Sequence, residues 1–333
     1  MLEKAPVLEV KQLKTHFKTA NGIVKAVDGV DLTIYEGETV GIVGESGCGK
    51  SVTSLSVMGL LPKPMAYIEQ GSILFSGRDI TQLSEREMRK LRGNEISMIF
   101  QEPMTSLNPV FTIGQQLSEP LKQHTRLSKK EIRQAVIAML QSVGIPRAEQ
   151  IMNEYPHQLS GGMRQRAMIS LAMLCQPKLL IADEPTTALD VTIQAQILQL
   201  MKEIKARTNM AMMLITHDLG VVAEMCDRVT VMYAGQVVES ADVRTIFNRP
   251  THPYTQGLLA SLPMSNERKG ELQSIPGSVP RPDEVPIGCA FAPRCSYATD
   301  RCREERPPLI AIENQLCRCW FPISKPQEVT HAT

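Results

Sequence analysis

Residues 39–55 read TVGIVGESGCGKSVTSL: an apolar run breaks into glycines, then into a Lys-Ser pair, then into a helical-looking segment. Within it GESGCGKS fits Gly-x-x-x-x-Gly-Lys-Ser at Gly44–Ser51, a pattern that ties a strand, a tight loop and a helix into one unit. Gly44, Gly47 and Gly49 let the backbone turn sharply and aim successive N–H groups inward as an anion nest. The helix that follows adds the positive end of its dipole. Lys50 brings a full charge toward β- and γ-phosphates, and the Ser51 hydroxyl is a ligand for Mg²⁺. The candidate cradle is therefore Gly44, Ser46, Gly47, Cys48, Gly49, Lys50 and Ser51, and what it suits is a nucleoside triphosphate. Cys48 is read as a small residue that fits the loop and not as a redox switch.

Around this loop, residues 7–43 alternate as strands do, with hairpin-like turns expected at Asn21-Gly22 and Glu36-Gly37. A helix is expected over 51–61, and the stretch from about 81 to 157 reads as largely helical, with Ile132, Val136, Met139 and Leu140 marking one helix face. Apolar strand-like segments then alternate with helices: KLLIADE, a helix from Thr192 to about Arg207, MAMMLITHD, and RVTVMYAGQVVES. Such alternation implies a mainly parallel sheet covered on both faces. PGSVPRPDEVP, with prolines at both ends and within, excludes regular helix or central strand over 276–286 and reads as an extended connection across the surface or a disordered linker.

A second set of polar residues falls at strand ends. LLIADE places Asp183 where a carboxylate can hold the Mg²⁺ shell and Glu184 where one can polarise water. LITHD brings His217 to the same kind of edge, where ligands sit in open α/β sheets. These features fit any phosphate-loop enzyme. The stretch YPHQLSGGMRQR discriminates, because Ser160-Gly161-Gly162 opens another helix and so makes a second nest. One nucleotide already has its cradle at 44–51, so a spare one suggests completing the site of another subunit.

With these motifs in this order, residues 7 to about 260 resemble the ATP-binding subunits of ABC transporters. Gly44–Ser51 resembles the Walker A loop, Gln101 in IFQEP the Q-loop glutamine, LSGGM the signature, LLIADE the Walker B strand, ALD at 188–190 the D-loop, and His217 the switch histidine. Phe17 stands where the family places an aromatic against adenine. Met163 departs from the commonest signature, which has Gln there, just beyond the phosphate-facing groups. The resemblance implies an α/β phosphate-loop NTPase fold of the ABC type, with a mainly parallel core, an antiparallel β subdomain and a helical subdomain at about 101–157. It implies a head-to-tail pair of ATPase subunits with ATP between them, each ATP held by the Walker loop of one and the Ser160-Gly161-Gly162 of the other. Catalysis would fall to Glu184, His217 and Gln101, and Mg²⁺ to Ser51, Gln101 and Asp183, directly or through water.

The tail, from RPTHPYTQGLLASLP onward, resembles the C-terminal extension of the peptide-importer branch, which includes dipeptide, oligopeptide and some nickel systems. The division implied is an ATPase domain over 1–260 and an extension over 261–333. The function implied is to energise uptake of dipeptides or short peptides, with a second homologous ATPase subunit in a heterodimer, two transmembrane permease subunits and an extracytoplasmic peptide-binding protein. The tail cysteines read C-x5-C-x6-C and then C-x-C, neither zinc-ribbon nor ferredoxin spacing, so an iron–sulfur cluster, a four-cysteine zinc site and buried free thiols all stay open. The branch implies a 4Fe–4S cluster, with Cys289, Cys295, Cys302 and Cys319 as ligands and Cys317 as the alternative to Cys319.

Composition narrows the rivals. The net charge of +1 and 4% aromatic content offer neither a basic field nor stacking platforms, so nucleic acid is not an expected partner. No apolar run reaches the roughly 18 residues of a membrane span. The start of the chain lacks a signal-peptide core, so a place on the cytoplasmic face of the cell membrane, reached through a partner, is expected. The rival is a soluble ABC ATPase of DNA repair or translation; its usual coiled-coil insertions, zinc modules or tandem halves are not found here.

Overall fold

The computed structural model of the 333-residue chain describes residues 5–20, 22–101, 106–186, 190–261, 275–281 and 284–323. Alternating residues fold the N-terminal segment into β1 (Pro6–Thr19) and β2 (Gly22–Tyr35), an antiparallel pair with Thr19 opposite Gly22. Of the expected turn between them, Asn21 lies outside the described residues. At the Glu36-Gly37 turn Gly37 takes φ 71°, and the chain passes into β3 (Thr39–Val43). This turn does not make a hairpin: β2 and β3 belong to different sheets. After α1 (Lys50–Met58), β4 (Ala66–Phe75) and the short β5 (Arg78–Asp79) complete a four-stranded antiparallel sheet in the order β2-β1-β4-β5.

The stretch expected to be largely helical holds α2 (Glu85–Leu91), α3 (Ile113–His124), α4 (Lys129–Ser142) and the short α5 (Ala148–Ile151). Thr112 with Gln115, and Ser128 with Glu131, form reciprocal capping boxes that fix where α3 and α4 begin. Ile132, Val136 and Leu140 bury one face of α4, while Met139 is half-buried at its margin. One piece differs from expectation. Ile96–Ile99 is a strand, β6, because its four residues are all buried in the edge of the main sheet. Four residues are too few to show a period of two.

The main sheet has eight strands in the order β11-β12-β10-β9-β3-β8-β7-β6. Its later members alternate with helices: α6 (Gly161–Met173), β7 (Leu179–Asp183), α7 (Val191–Thr208), β8 (Ala211–Ile215), α8 (Leu219–Met225) and β9 (Arg228–Tyr233). From β9 to β6 the strands run parallel. RVTVMYAGQVVES is not one strand but an antiparallel hairpin of β9 and β10 (Gln236–Asp242), turned through Ala234 and Gly235 at positive φ. After α9 (Val243–Asn248), α10 (Pro253–Ala260) and α11 (Asp300–Glu304), the chain returns as β11 (Ile310–Ile312) and β12 (Gln315–Cys317), and β12 pairs with β10. The described residues of 276–286 form neither helix nor strand, and Val279 and Val285 rest on the main core.

The parallel strands are buried on both faces, and alternate residues separate into two cores. Leu179, Ile181, Ala211, Met213 and Ile215 face the antiparallel sheet, while Leu180, Ala182, Met212 and Leu214 face the helices. Each such Leu, Ile or Met side chain stabilises the fold by about 1.5–3 kcal/mol. Register then sets the functional edge, since Ile42 lies level with Ile215, and Ile215 with Asp183. The loops after β3, β7 and β8 therefore leave the sheet side by side.

Candidate functional site

The loop after β3 is held from several sides. Gly44 takes φ 150°, and a Cβ there would lie 2.2 Å from the Met232 carbonyl oxygen. A Cβ on Gly49 would lie 2.6 Å from the Ala26 carbonyl oxygen, and the Gly235 N–H donates to the Cys48 carbonyl at 3.0 Å. Ser46 and Gly47 are exposed at the loop's crest, whereas Cys48, Gly49 and Lys50 are buried. The Lys50 ammonium donates to the carbonyls of Gly44 (2.7 Å) and Glu45 (3.0 Å). Burial pushes the Cys48 thiol above its ordinary pKa against the pull of Lys50, which keeps it protonated and suits a packing role. Ser51 and Asp183 are hydrogen-bonded, and Asp183 Oδ1 is buried without any partner. Burial, and then the charge of Glu184, raise the Asp183 carboxyl. An unpartnered buried carboxylate oxygen beside a serine hydroxyl fits a hard cation with oxygen ligands.

Glu184 follows directly, at φ 47°, a left-handed conformation costing a non-glycine residue about 1–3 kcal/mol. Its N–H donates to the Ile215 carbonyl at 2.8 Å, which draws it across the sheet edge toward β8. There its carboxylate accepts from Gln101 Nε2 at 3.1 Å through one oxygen and lies 3.2 Å from His217 Nδ1 through the other. Gln101 and His217, 83 and 33 positions away in sequence, thus meet at one carboxylate. Phe17 is half-buried on β1, two residues beyond Thr15, whose hydroxyl meets that of Ser56 in α1 at 2.9 Å.

Ser160, Gly161 and Gly162 begin α6, where Ser160 Oγ accepts from the Met163 N–H at 3.3 Å. Ser160 and Gly161 are exposed, and a Cβ on Gly161 would meet no atom within 4 Å. Of the expected D-loop, Ala188 and Leu189 lie outside the described residues; Asp190 caps α7 by accepting from the Ile193 N–H. Sequence reasoning missed Gln165, nearly fully buried, whose Nε2 donates to the Pro185 carbonyl and ties α6 to the Glu184 turn. It also missed Glu45, whose carboxylate pairs with Arg294 at 2.7 Å and whose N–H donates to Tyr254 Oη at 2.8 Å. An acid within an anion-binding loop is a signal in the sequence, since it calls for a cation; which cation it finds is not.

In the tail, Cys289, Cys295, Cys302 and Cys319 line one small cavity walled by His252, Phe291 and Trp320. Cys317 is not among its lining residues; it lies opposite Glu239 in β12. Burial raises the thiols of Cys289 and Cys295, and takes Cys319 to about 11 and Cys317 to about 12. Among the described residues no three His, Cys, Asp or Glu side chains form a group able to hold a single metal ion. The cage therefore does not offer the close tetrahedron of a zinc site. Among the described residues no helix is long and apolar enough to cross a membrane.

Comparison with known proteins agrees with this arrangement. Residues 27–187 match the family model described as ABC transporter, and residues 238–302 the one described as oligopeptide/dipeptide transporter, C-terminal region. The oligopeptide transport ATP-binding protein AppD of Bacillus subtilis is 57% identical over 95% of this chain and 96% of its own. The dipeptide transport ATP-binding protein DppD of the same organism is 51% identical over 98% and 97%. A dimeric, post-hydrolysis structure of the ATP-binding cassette MJ0796, bound to ADP and Pi, superposes with a TM-score of 0.64 at 28% identity, over 71% of this chain and 99% of that one.

Proposed function

Because this chain belongs to the ABC transporter ATP-binding family, in the branch of the oligopeptide and dipeptide transport ATP-binding proteins, we propose that it is the ATP-hydrolysing motor of a peptide importer. The observation that carries the reading is the Glu184 carboxylate set between Gln101 and His217, at the sheet edge that also bears the phosphate loop. The nest of Gly44–Ser51 and the Lys50 charge receive the triphosphate, and Phe17 faces the adenine. Glu184 accepts a proton from the attacking water as its oxygen bonds to the γ-phosphorus. The bond to the bridging oxygen breaks, and ADP and phosphate are released. Gln101 and His217 orient that water and the γ-phosphate oxygens. Ser51, Asp183 and Gln101 would hold Mg²⁺, which when bound neutralises charge on the β- and γ-phosphates.

Ser160 and Gly161 stand exposed at the start of α6, with open space beyond Gly161, which supports a composite site with a second, homologous ATPase subunit. A groove of about 690 Å³ bordered by Phe111, Gln116 and His124 lies in the helical region at about 101–157, with Val110 and Phe111 exposed beside it. The exposed Val110 and Phe111 at its edge fit a permease segment, and two permease subunits with an extracytoplasmic peptide-binding protein complete the complex. The chain then works at the cytoplasmic face of the membrane without spanning it. The division is catalytic over 1–260 and an extension over 261–333. In the extension Cys289, Cys295, Cys302 and Cys319 would hold a 4Fe–4S cluster, whose body lets four thiolates stand further apart than one ion does. When bound it supplies a covalent tie among those four positions; anaerobically purified protein without iron or brown absorbance would remove it from the account. The decisive experiment on the motor is Glu184→Gln in the assembled complex, which is expected to retain ATP and lose turnover. Hydrolysis at the wild-type rate would overturn the assignment.

A further inference from the structure

Glu45 occupies a position where a negative charge is out of place, one residue into a loop that cradles phosphates. Three of its groups are nevertheless fixed. Its carbonyl oxygen accepts from Lys50 at 3.0 Å, its N–H donates to Tyr254 Oη at 2.8 Å, and its carboxylate takes both terminal nitrogens of Arg294, at 2.7 and 3.0 Å. Two of the three partners lie beyond residue 250.

Arg294 is built into its place. Its side chain is 5% exposed, and its remaining donors go to the carbonyls of Pro276 (2.8 Å) and Ile275 (3.3 Å) and to Tyr233 Oη (3.4 Å). The guanidinium also lies against the rings of Tyr233 and Phe291. Phe291 in turn packs on Tyr233, Tyr254 and His252, so the aromatic cluster that seats Arg294 also seats Tyr254. A fork–fork pair between a planar guanidinium and a carboxylate fixes both orientation and charge.

From this geometry we infer that Arg294, together with Tyr254, is a positioning device for the phosphate loop: it pins Glu45 and cancels its charge, so that the extension sets the affinity of the cradle for ATP. The next residue, Cys295, lines the thiol cage, so any displacement of that cage reaches Glu45 through one peptide unit and one ion pair. The inference rests on the reading of Gly44–Ser51 as an ATP site. Wild-type protein that binds no nucleotide would fail that reading, whereas binding that ignores the clamp would fail only this one.

The test is titration of the full-length chain with a fluorescent ATP analogue and Mg²⁺, using four variants. Arg294→Gln keeps a hydrogen-bond donor but leaves the Glu45 charge uncancelled, and affinity is expected to fall about tenfold, within the usual span of coupling between linked sites. Adding Glu45→Gln to Arg294→Gln removes the stranded charge and is expected to restore affinity to within about threefold of wild type. A merely structural arginine would give no such rescue, because the second substitution mends no packing. Arg294→Lys, which keeps the charge without the fork, is expected to lose only about threefold. If Arg294→Gln does not fold, Tyr254→Phe removes one oxygen and no charge, and a loss of about threefold is expected. Unchanged affinity in Arg294→Gln, absence of rescue in the double variant, or unchanged affinity in Tyr254→Phe would each overturn the inference.

Discussion

Two helices of this chain open beside glycines, and the protein finishes them in opposite ways. At α1 the N-cap is Gly49 at φ 101°, no side chain caps it, and the loop before it is closed in by Ala26, Met232 and Gly235. At α6 the N-cap is Ser160, whose hydroxyl accepts from the Met163 N–H, and Gly161 faces open space. The same backbone chemistry, orphan N–H groups at a helix start, is therefore enclosed in one case and displayed in the other. An enclosed terminus is shaped for a ligand by its own chain. A displayed one, already stabilised by a serine cap, has its remaining face free for something brought by a neighbour.

The largest effect should come from filling the enclosed loop. Gly44→Ala would place a methyl 2.2 Å from the Met232 carbonyl at a backbone angle that alanine rarely adopts, so the loop must move. ATP affinity should fall by at least about a thousandfold, equivalent to about 4 kcal/mol, in a nucleotide titration. A variant that still bound ATP normally would show the enclosure to be looser than its contacts indicate.

The displayed terminus should respond differently. A Cβ at Gly161 meets no atom within 4 Å, so in Gly161→Asp the melting temperature and the ATP affinity of the isolated subunit should stay at wild-type values. In the assembled complex the new carboxylate would face the partner's triphosphate, and hydrolysis should fall about a hundredfold, the size of effect seen when transition-state stabilisation by a donor is lost. Equal damage to isolated and assembled protein would erase the contrast between the two termini.

These two termini also mark what the sequence makes legible. The Gly44–Ser51 spacing and the Ser-Gly-Gly before an apolar helix are local patterns with local causes, and both fall where they are expected. The parallel sheet follows from strand–helix alternation over 179–233. Strand ends in LLIADE and LITHD put Glu184 and His217 at the same kind of edge, whereas Gln101 joins them only through the family resemblance, and nothing in the spacing encodes the register of β7 with β8 that makes the two edges one. β6 escaped notice because four residues carry no periodicity, and the joining of β12 to β10 because a three-residue strand has no signature of its partner. Arg294 and Glu45 lie 249 positions apart, and their pairing depends on the whole path of the chain between them.

The smallest effects should differ in sign. Ser160→Ala removes only a helix cap and should lower stability by about 1 kcal/mol at any pH where the chain is folded. Asp183→Asn should do the reverse. The Asp183 carboxyl is raised by burial, so folding disfavours its charge. Well below the ordinary carboxylate pKa of about 4 the group is protonated in folded and unfolded chain alike and costs nothing. As pH rises from there through the raised folded value, the unfolded chain ionises first and stability is lost; above that value the loss stays constant. The advantage of Asp183→Asn over wild type should therefore be absent in acid, open across that window, and level off above the raised folded value in urea titrations. The same substitution should abolish Mg²⁺-dependent ATP hydrolysis, because Asp183, at the end of β7 beside the enclosed terminus, carries a charge that is costly in the folded chain alone and useful only with its ligand. A destabilising Asp183→Asn would mean that the Ser51 hydrogen bond outweighs burial, and the enclosed site would then be as self-sufficient as the serine-capped one.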